Sequence, residues 1–167
     1  MKQQIARLSN ATFPFFADIH TRYTDEDHLR HVNNIAIALY YDEARSRLTN
    51  AIFAKAGDIT GLRLVTAQAN VSYLAEVFQP DVVKVGCGIA RIGTSSYEIG
   101  QALYQKGRCV GVCTAVFSGR GNVSAACRRK LRGISTGARY AHTFNTAAAI
   151  GSSISSWRKP SSHVIAT

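Results

Sequence analysis

One long helical pattern, placed between segments that alternate like β-strands, restricts the fold of this chain more than any other feature. Apolar residues recur along it at spacings of three and four: Ile37, Tyr40, Tyr41, Ala44, Leu48, Ala51 and Ile52. This spacing places them on one face of an α-helix. The other face is predicted to be polar and to carry Asp42, Glu43, Arg45, Arg47 and Asn50. Asn33 or Asn34 is a suitable N-cap, and Gly57 is placed to end the helix.

Strand patterns lie on both sides of this helix. Aromatic and β-branched residues predict a strand within residues 12–23. After the helix, residues 65–73 alternate with a period of two, and further strands are predicted at 83–89, 96–104 and 109–117, with turn-forming residues between them. Short connections make the sheet largely antiparallel, so the pattern predicts an α+β fold with one helix against a five-stranded sheet.

Two smaller features of the pattern also carry expectations. Gly86 and Gly88 share one face of the third strand, which predicts that another group packs closely there. The first ten residues are polar, so we expect them to be frayed. A single helix covers only part of such a sheet, and its exposed strand edges predict an oligomer.

Charge and composition limit the possible classes of function. The chain has 167 residues, 46% of them hydrophobic and 18% charged, which is typical of one soluble globular domain. Residues 1–119 hold 12 Lys or Arg against 10 Asp or Glu, whereas residues 120–167 hold 8 Lys or Arg and no acid. The net charge of +10 therefore belongs mainly to a basic, Ser- and Ala-rich segment, 120–167, which we expect to be a poorly ordered tail. Nucleic-acid binding through this tail rests on composition alone.

Cysteine spacing and hydropathy argue against metal, redox and membrane roles. The four cysteines show no Cys-x-x-Cys pair and no histidines at zinc spacing, so we interpret them as small apolar residues: Cys87, Cys109, Cys113 and Cys127. The sequence predicts no metal site and no resident cofactor. No apolar run approaches the length of a membrane span, and residues 1–20 lack the apolar core of a signal peptide, so the expected compartment is the cytoplasm.

A short acidic segment stands immediately before the helix. Asp25, Glu26 and Asp27 precede the run His31-Val32-Asn33-Asn34. The first amide groups of a helix have no partner inside it, and the helix dipole adds positive potential there. Such a terminus can polarise a carbonyl while a nearby carboxylate attacks it or deprotonates a water. The alternative is that the acidic residues only cap the helix, and the pattern alone favours this alternative.

The residues of this segment resemble a known family. The run Arg22-Tyr23-x-Asp25-x-Asp27-x-x-x-His31-Val32-Asn33-Asn34, followed by Tyr40-Tyr41-Asp42-Glu43-Ala44-Arg45, closely resembles hot-dog-fold thioesterases of the 4-hydroxybenzoyl-CoA thioesterase type. The resemblance covers about residues 13–119. It implies a curved antiparallel sheet wrapped around one central helix, and pairing into homodimers or homotetramers. The family usually has Gly immediately before the His, where this chain has Arg30.

The resemblance also implies roles for individual residues. Asp27 would be the catalytic carboxylate, as nucleophile or as general base, and the backbone N–H near Asn34 would stabilise the oxyanion. Asp25 would have a supporting, structural part, and His31 would order the turn. Asn33 would act as a cap that locks the loop. Glu43 is a second and weaker candidate for the carboxylate, because other hot-dog lineages carry their acid on the central helix.

The same resemblance places coenzyme A contacts at Arg91, Thr94, Ser95 and Ser96, around the turn between the third and fourth strands. An ordinary hairpin turn is the alternative there. Arg30 is expected in an unstrained loop at the rim of the site, where its charge would attract a phosphate or an acidic carrier. The function implied is an acyl-CoA thioesterase. Alternatives are a thioesterase acting on acyl carrier protein and a non-catalytic hot-dog module that binds acyl groups or only oligomerises.

Overall fold

The computed structural model describes residues 2–53 and 63–120. They form two α-helices, a short 3-10 helix (Tyr23–Asp25) and five strands: α1 (Lys2–Ser9), β1 (Phe15–His20), α2 (Asn34–Phe53), β2 (Arg63–Tyr73), β3 (Val82–Ile92), β4 (Ser96–Gln105) and β5 (Arg108–Arg120). The strands make one antiparallel sheet in the order β1-β3-β4-β5-β2. The predicted α+β class, the long helix and the five-stranded antiparallel sheet are confirmed. Gly57 and the predicted tail beyond residue 120 lie outside the described residues.

The apolar stripe of α2 forms the main core with the facing side of the sheet. Six of the seven predicted residues are buried, and Ala51 is half-buried. They pack against buried side chains of β1, β3, β4 and β5, such as Ile19, Val85 and Leu103. Burying a side chain of this kind contributes about 1.5–3 kcal/mol, so this stripe fixes how α2 lies on the sheet.

Arg45 does not lie on the exposed face of α2, as the sequence pattern predicted. It is 7% exposed, its guanidinium carbon lies 6.0 Å from the Phe117 ring centroid, and its Nη2 donates to Asp42 Oδ1 at 2.5 Å. A guanidinium stacks well on an aromatic face, and its apolar stem can cover core residues. Position 45, next to Ala44 at the border of the apolar stripe, can therefore hold a largely buried arginine side chain.

The N-terminal residues are not frayed, so that expectation was wrong. Residues 2–9 form α1, and Leu8 is only 2% exposed. Leu8 joins Phe13, Ala102 and Val112 in a second apolar cluster on the side of the sheet opposite α2. The sheet offers an apolar outer surface there, and α1 covers part of it.

The close packing predicted at Gly86 is confirmed. A Cβ atom at this position would lie 2.4 Å from Cδ2 of Phe13, which is too close for any side chain. Phe13 also meets Phe16 edge-on, with ring centroids 6.2 Å apart. The absent side chain of Gly86 thus leaves room for both rings to pack against the strand.

Three of the four cysteines are described, and they are free. Cys87 and Cys113 are buried, and Cys109 is half-buried. Burial raises the pKa of Cys87 to about 12 and that of Cys113 to about 11. These thiols stay protonated near neutrality, which supports their interpretation as apolar residues. Within residues 2–53 and 63–120, no helix is long and apolar enough to cross a membrane.

Strand β2 is an edge strand with unusual exposure. It pairs with β5, and residues 65–70 are exposed on both of its faces. Val65 is 58% exposed and Tyr73 46%. Leu64 and Val71 pack against the main core, but the core of a single protomer does not explain the apolar residues that are exposed on this strand.

Candidate active site

The segment between β1 and α2, residues 21–33, is called the acidic loop here. It leaves the sheet where His20 pairs with Val82. Thr21 donates to the Asp81 carbonyl oxygen through its hydroxyl at 2.8 Å, and the Val32 N–H donates to the Val77 carbonyl oxygen at 2.7 Å. Both ends of the loop are thus fixed to the segment that joins β2 to β3.

Asp25 is the buried carboxylate of the acidic loop, at 3% exposure. It accepts hydrogen bonds from the Arg22 N–H at 2.8 Å, from Arg22 Nε at 3.2 Å and from the Tyr40 hydroxyl at 2.5 Å. Burial acts to raise the pKa of Asp25, but the bonds from Tyr40 and Arg22 outweigh burial and hold that pKa below its usual value. Asp25 therefore stays ionised and is fully engaged in structural bonds.

Asn33 joins the acidic loop to the first turn of α2. Its Oδ1 accepts from the Ala36 N–H at 2.8 Å, which is the geometry of an N-cap. Its backbone N–H and its Nδ2 both donate to the Asp25 carbonyl oxygen at 2.9 Å. The prediction that Asn33 locks the loop as a cap is confirmed, and Asn34 is the first helical residue.

Asp27 lies in a different environment from Asp25, although it is only two residues away. Its side chain is 28% exposed, and Oδ1 accepts from the Leu29 N–H at 2.8 Å. Its other oxygen, Oδ2, accepts no hydrogen bond from the residues that the structure describes. His31 Nδ1 stands 3.8 Å from Oδ1. Asp27 thus combines a held orientation with an accessible oxygen.

Residues 27–31 form a tight reversal. The Asp27 N–H donates to the His31 carbonyl oxygen at 3.1 Å, and the Arg30 N–H donates to the Asp27 carbonyl oxygen at 3.0 Å. Glu26 and Val32 make an antiparallel bridge just outside them. This is a three-residue hairpin loop, whose last residue normally takes left-handed backbone angles.

Arg30 occupies that left-handed position with a φ of 64°. The expectation of an unstrained loop was wrong, because the hairpin geometry sets this angle whatever residue is present. Glycine suits the position since it has no Cβ, whereas other residues there cost about 1–2 kcal/mol. The side chain of Arg30 is exposed, as expected.

The N-terminus of α2 offers donors beside the acidic loop. Ala36 N–H is used by the cap and Ile37 N–H by the Asn33 carbonyl oxygen at 3.1 Å. Asn34 and Ile35 precede these bonds and are exposed, so their amides belong to the unpaired first turn of the helix. Such amides are suited to bind a developing negative charge.

The predicted coenzyme A contacts lie far from Asp27 within one protomer. Arg91, Thr94 and Ser95 are exposed, Ser96 is half-buried, and Ser96 closes the turn by accepting from the Gly93 N–H at 2.7 Å. This turn follows the end of β3 at Ile92, whereas the acidic loop lies at its start, Val82. An 11-residue strand spans about 35 Å. One chain alone does not bring the two groups together.

Glu43, the second candidate carboxylate, is exposed on α2 and pairs with Arg47 one turn later. Two contacts near the site were missed by sequence reasoning. The first is the bond from Tyr40 to Asp25. The second is the pair of bonds between the Gln105 side chain and the Phe78 backbone: Gln105 Oε1 accepts from the Phe78 N–H at 3.1 Å, and Gln105 Nε2 donates to the Phe78 carbonyl oxygen at 2.7 Å. For Tyr40 the available signal was a polar atom on a predicted core position, whereas Gln105 was assigned to the turn after β4 and gave no such signal.

The sequence matches the thioesterase-like superfamily over residues 10–147. The chain belongs to this superfamily. Membership confirms the predicted family of hot-dog thioesterases and the enzyme class, thioester hydrolases. A comparison with curated proteins found no match.

Solved structures show the same fold. A Thermus thermophilus thioesterase complexed with coenzyme A and Zn is 27% identical, with a TM-score of 0.63, and the match covers 72% of this chain and 99% of that chain. A predicted thioesterase from Bacillus stearothermophilus is 23% identical, with a TM-score of 0.65 and coverage of 72% and 95%. A gentisyl-coenzyme A thioesterase is 16% identical, with a TM-score of 0.63 and coverage of 71% and 98%. The predicted curved sheet around a central helix is therefore confirmed as the hot-dog fold.

Proposed function

We propose that this superfamily member hydrolyses acyl-CoA thioesters to a carboxylic acid and free CoA. The observation that carries the proposal is the contrast between the two aspartates of the acidic loop. Asp25 is buried and saturated with donors, while Asp27 is held by one bond and exposes an oxygen beside a helix N-terminus. Superfamily membership and the coenzyme A complex of the Thermus relative support CoA as the carrier.

Asp27 would act on the thioester carbonyl carbon in one of two ways. As a general base it takes a proton from a water, which adds to the carbon and gives a tetrahedral oxyanion. As a nucleophile it adds directly, and the mixed anhydride that forms is then hydrolysed. In both routes the C–S bond breaks, CoA leaves as a thiolate and takes up a proton, and the amides near Asn34 stabilise the oxyanion. His31 supports Asp27 through its backbone carbonyl and its nearby ring.

Binding of coenzyme A is proposed across a homodimer. Two copies that pair antiparallel through their β2 edges place the β3–β4 turn of one protomer at the same end of the joined sheet as the acidic loop of the other. Arg91, Thr94, Ser95 and Ser96 of one chain would then serve the Asp27 of its partner. The cationic Arg91 and the exposed Arg30 offer charge for the phosphates of CoA.

The first test is turnover on purified protein. We expect free thiol to be released from at least one member of a panel of aryl, short-chain and long-chain acyl-CoAs. Asp27→Asn should keep the fold and lose at least about a hundredfold in kcat, as expected when a catalytic carboxylate is removed. Asp25→Asn is the matched control, and it should lose less turnover but more thermal stability.

Two results would contradict the proposal. Wild-type protein that hydrolyses none of the panel would indicate a non-catalytic hot-dog module. A larger loss of turnover in Asp25→Asn than in Asp27→Asn would mean that the catalytic carboxylate is misassigned. In a single turnover in ¹⁸O-water, label in the Asp27 carboxylate identifies the nucleophilic route, because water that opens the anhydride at the Asp27 carbonyl carbon leaves its oxygen there.

A further inference from the structure

Two adjacent tyrosines on α2 place their hydroxyl groups in different surroundings. Tyr40 is 2% exposed, and its hydroxyl donates to Asp25 Oδ2 at 2.5 Å. Tyr41 is fully buried, and its hydroxyl has no hydrogen-bond partner among the residues that the structure describes. A phenylalanine would fill either place with nearly the same volume. The Tyr40 hydroxyl therefore has a bonding role that the neighbouring hydroxyl lacks.

The Tyr40 bond closes a ring of contacts around the N-terminus of α2. Tyr40 holds the Asp25 carboxylate, the Asp25 carbonyl oxygen holds Asn33, and Asn33 caps the helix that carries Tyr40. The ring spans the loop-to-helix junction with side-chain and backbone bonds of 2.5–2.9 Å. Because Asp27 follows Asp25 by two residues, this ring sets how the Asp27 turn lies relative to the first amides of α2.

We infer that Tyr40 is a positioning residue, which holds the Asp27 turn in register with the N-terminus of α2 by donating its hydroxyl to Asp25. The inference rests on the proposed function for its catalytic consequence, and on geometry alone for its structural one. Burial and the bond to Asp25 raise the pKa of Tyr40 above its usual value, so the hydroxyl keeps its proton as donor. Arg22 is the other group that bonds the Asp25 carboxylate, and Arg22 is itself attracted electrostatically by the Glu43 carboxylate.

The energetic case depends on the charge of the acceptor. A hydrogen bond to an ionised group is roughly twice as strong as a neutral one, so the bond from Tyr40 orients Asp25 firmly. A displacement of about 1 Å at a reacting group can lower a rate by about a hundredfold. Without the Tyr40 hydroxyl, Arg22 still bonds the Asp25 carboxylate and the ring still fills its place in the core, so we expect the orientation of the loop to change while the protein still folds.

The test compares Tyr40→Phe with Tyr41→Phe by amide hydrogen exchange. Both variants remove one buried hydroxyl from neighbouring positions on one helix. We expect the amides of Asp27 and Asn33 to exchange at least about tenfold faster in Tyr40→Phe, while the amides in the middle of α2 stay as in wild type. Tyr41→Phe should leave both sets unchanged. Equal exchange at Asp27 and Asn33 in all three proteins would overturn the inference.

Turnover supplies the second measurement, taken at a temperature where all variants are fully folded. On an acyl-CoA that the wild type hydrolyses, Tyr40→Phe should lower kcat by about tenfold and leave KM within about twofold. Tyr41→Phe should keep both constants. Wild-type kcat in Tyr40→Phe would overturn the inference while the proposed function stands. An inactive wild type would overturn the proposed function, and hydrogen exchange would still decide the positioning role.

A double variant tests whether Tyr40 acts through its hydrogen bond to Asp25. If Tyr40 acts through Asp25, combining Tyr40→Phe with Asp25→Asn should lower kcat no further than Asp25→Asn alone. Independent, multiplicative losses would show that the hydroxyl of Tyr40 acts elsewhere, which would also overturn the inference.

Discussion

Two carboxylates two residues apart lie in different environments because different groups donate to them. Asp25 accepts from Arg22 and Tyr40 inside the protein, whereas Asp27 accepts from the nearby Leu29 amide and keeps an accessible oxygen. The number of donors and the exposure of each side chain therefore separate a carboxylate held in structural bonds from one that is available to a substrate. The sequence spacing Asp-x-Asp does not itself assign the roles.

The ionisation of Asp25 leads to a prediction about acid stability. The pKa of Asp25 is lower in the folded protein than the usual value of about 4. Ionised Asp25 therefore contributes fully to the free energy of unfolding above about pH 4, and this contribution is lost as pH falls from about 4 towards the lower folded pKa. We expect urea unfolding to show that the stability gap between wild type and Asp25→Asn narrows over this range. A gap that is constant between pH 7 and pH 3 would contradict the assignment.

The left-handed angle of Arg30 leads to a second prediction. Arg30→Gly should relieve about 1–2 kcal/mol of backbone strain, less about 0.4–1 kcal/mol for the freer unfolded chain. A small rise in melting temperature follows, with the fold of the loop unchanged. Arg30→Ala is the control, because it removes the charge and keeps the strain.

Steady-state kinetics on the same two variants separates the effect of the Arg30 charge on substrate binding from the effect of the backbone conformation. If the Arg30 charge attracts CoA phosphates, both variants should raise KM modestly and keep kcat. A rise in KM for Arg30→Gly alone would mean that the backbone, and not the charge, determines binding.

At the scale of elements, α1 depends on the sheet and is not an independent feature. Its sequence is polar apart from a few residues, yet Leu8 reaches a cluster with Phe13 and Val112. Short helices of this kind are unstable in isolation and form when they bury an apolar face. The outer surface of β4 and β5 supplies that contact.

Leu8→Ala tests the contribution of this contact. Truncating a buried leucine costs about 2–5 kcal/mol, so we expect a clear fall in the free energy of unfolding. Gln3→Ala on the exposed side of α1 should change it by less than about 0.5 kcal/mol. Equal effects in chemical denaturation would show that α1 does not stabilise the sheet.

At the scale of the whole molecule, the exposed edge of β2 points to assembly. An edge strand with apolar residues open on both faces is a template for pairing with another chain. Light scattering after gel filtration should report a homodimer. Val65→Lys places a charge on the β2 edge and should shift the protein towards monomer, while Val82→Lys, another exposed valine outside β2, should not. A monomeric wild type would contradict the proposed sharing of CoA contacts.

The sequence by itself determined the features that depend on neighbouring residues. The stripe of α2, the alternation of the strands and their turns are local periodicities, so they specified the helix, the antiparallel pairing of β3, β4 and β5 and the position of the acidic loop. They did not specify that β2 pairs with β5 at the edge of the sheet and not with β3. The cap at Asn33 and the close packing at Gly86 were likewise visible, because residue type restricts local geometry.

Only the tertiary structure decided the features that depend on contacts between distant segments. Arg45 is buried because Phe117 of β5 lies across from it, and α1 forms because the sheet offers an apolar surface. The Tyr40 hydroxyl meets Asp25 across 15 residues, a contact that no local periodicity encodes. In each case the energy comes from a partner whose position the fold supplies.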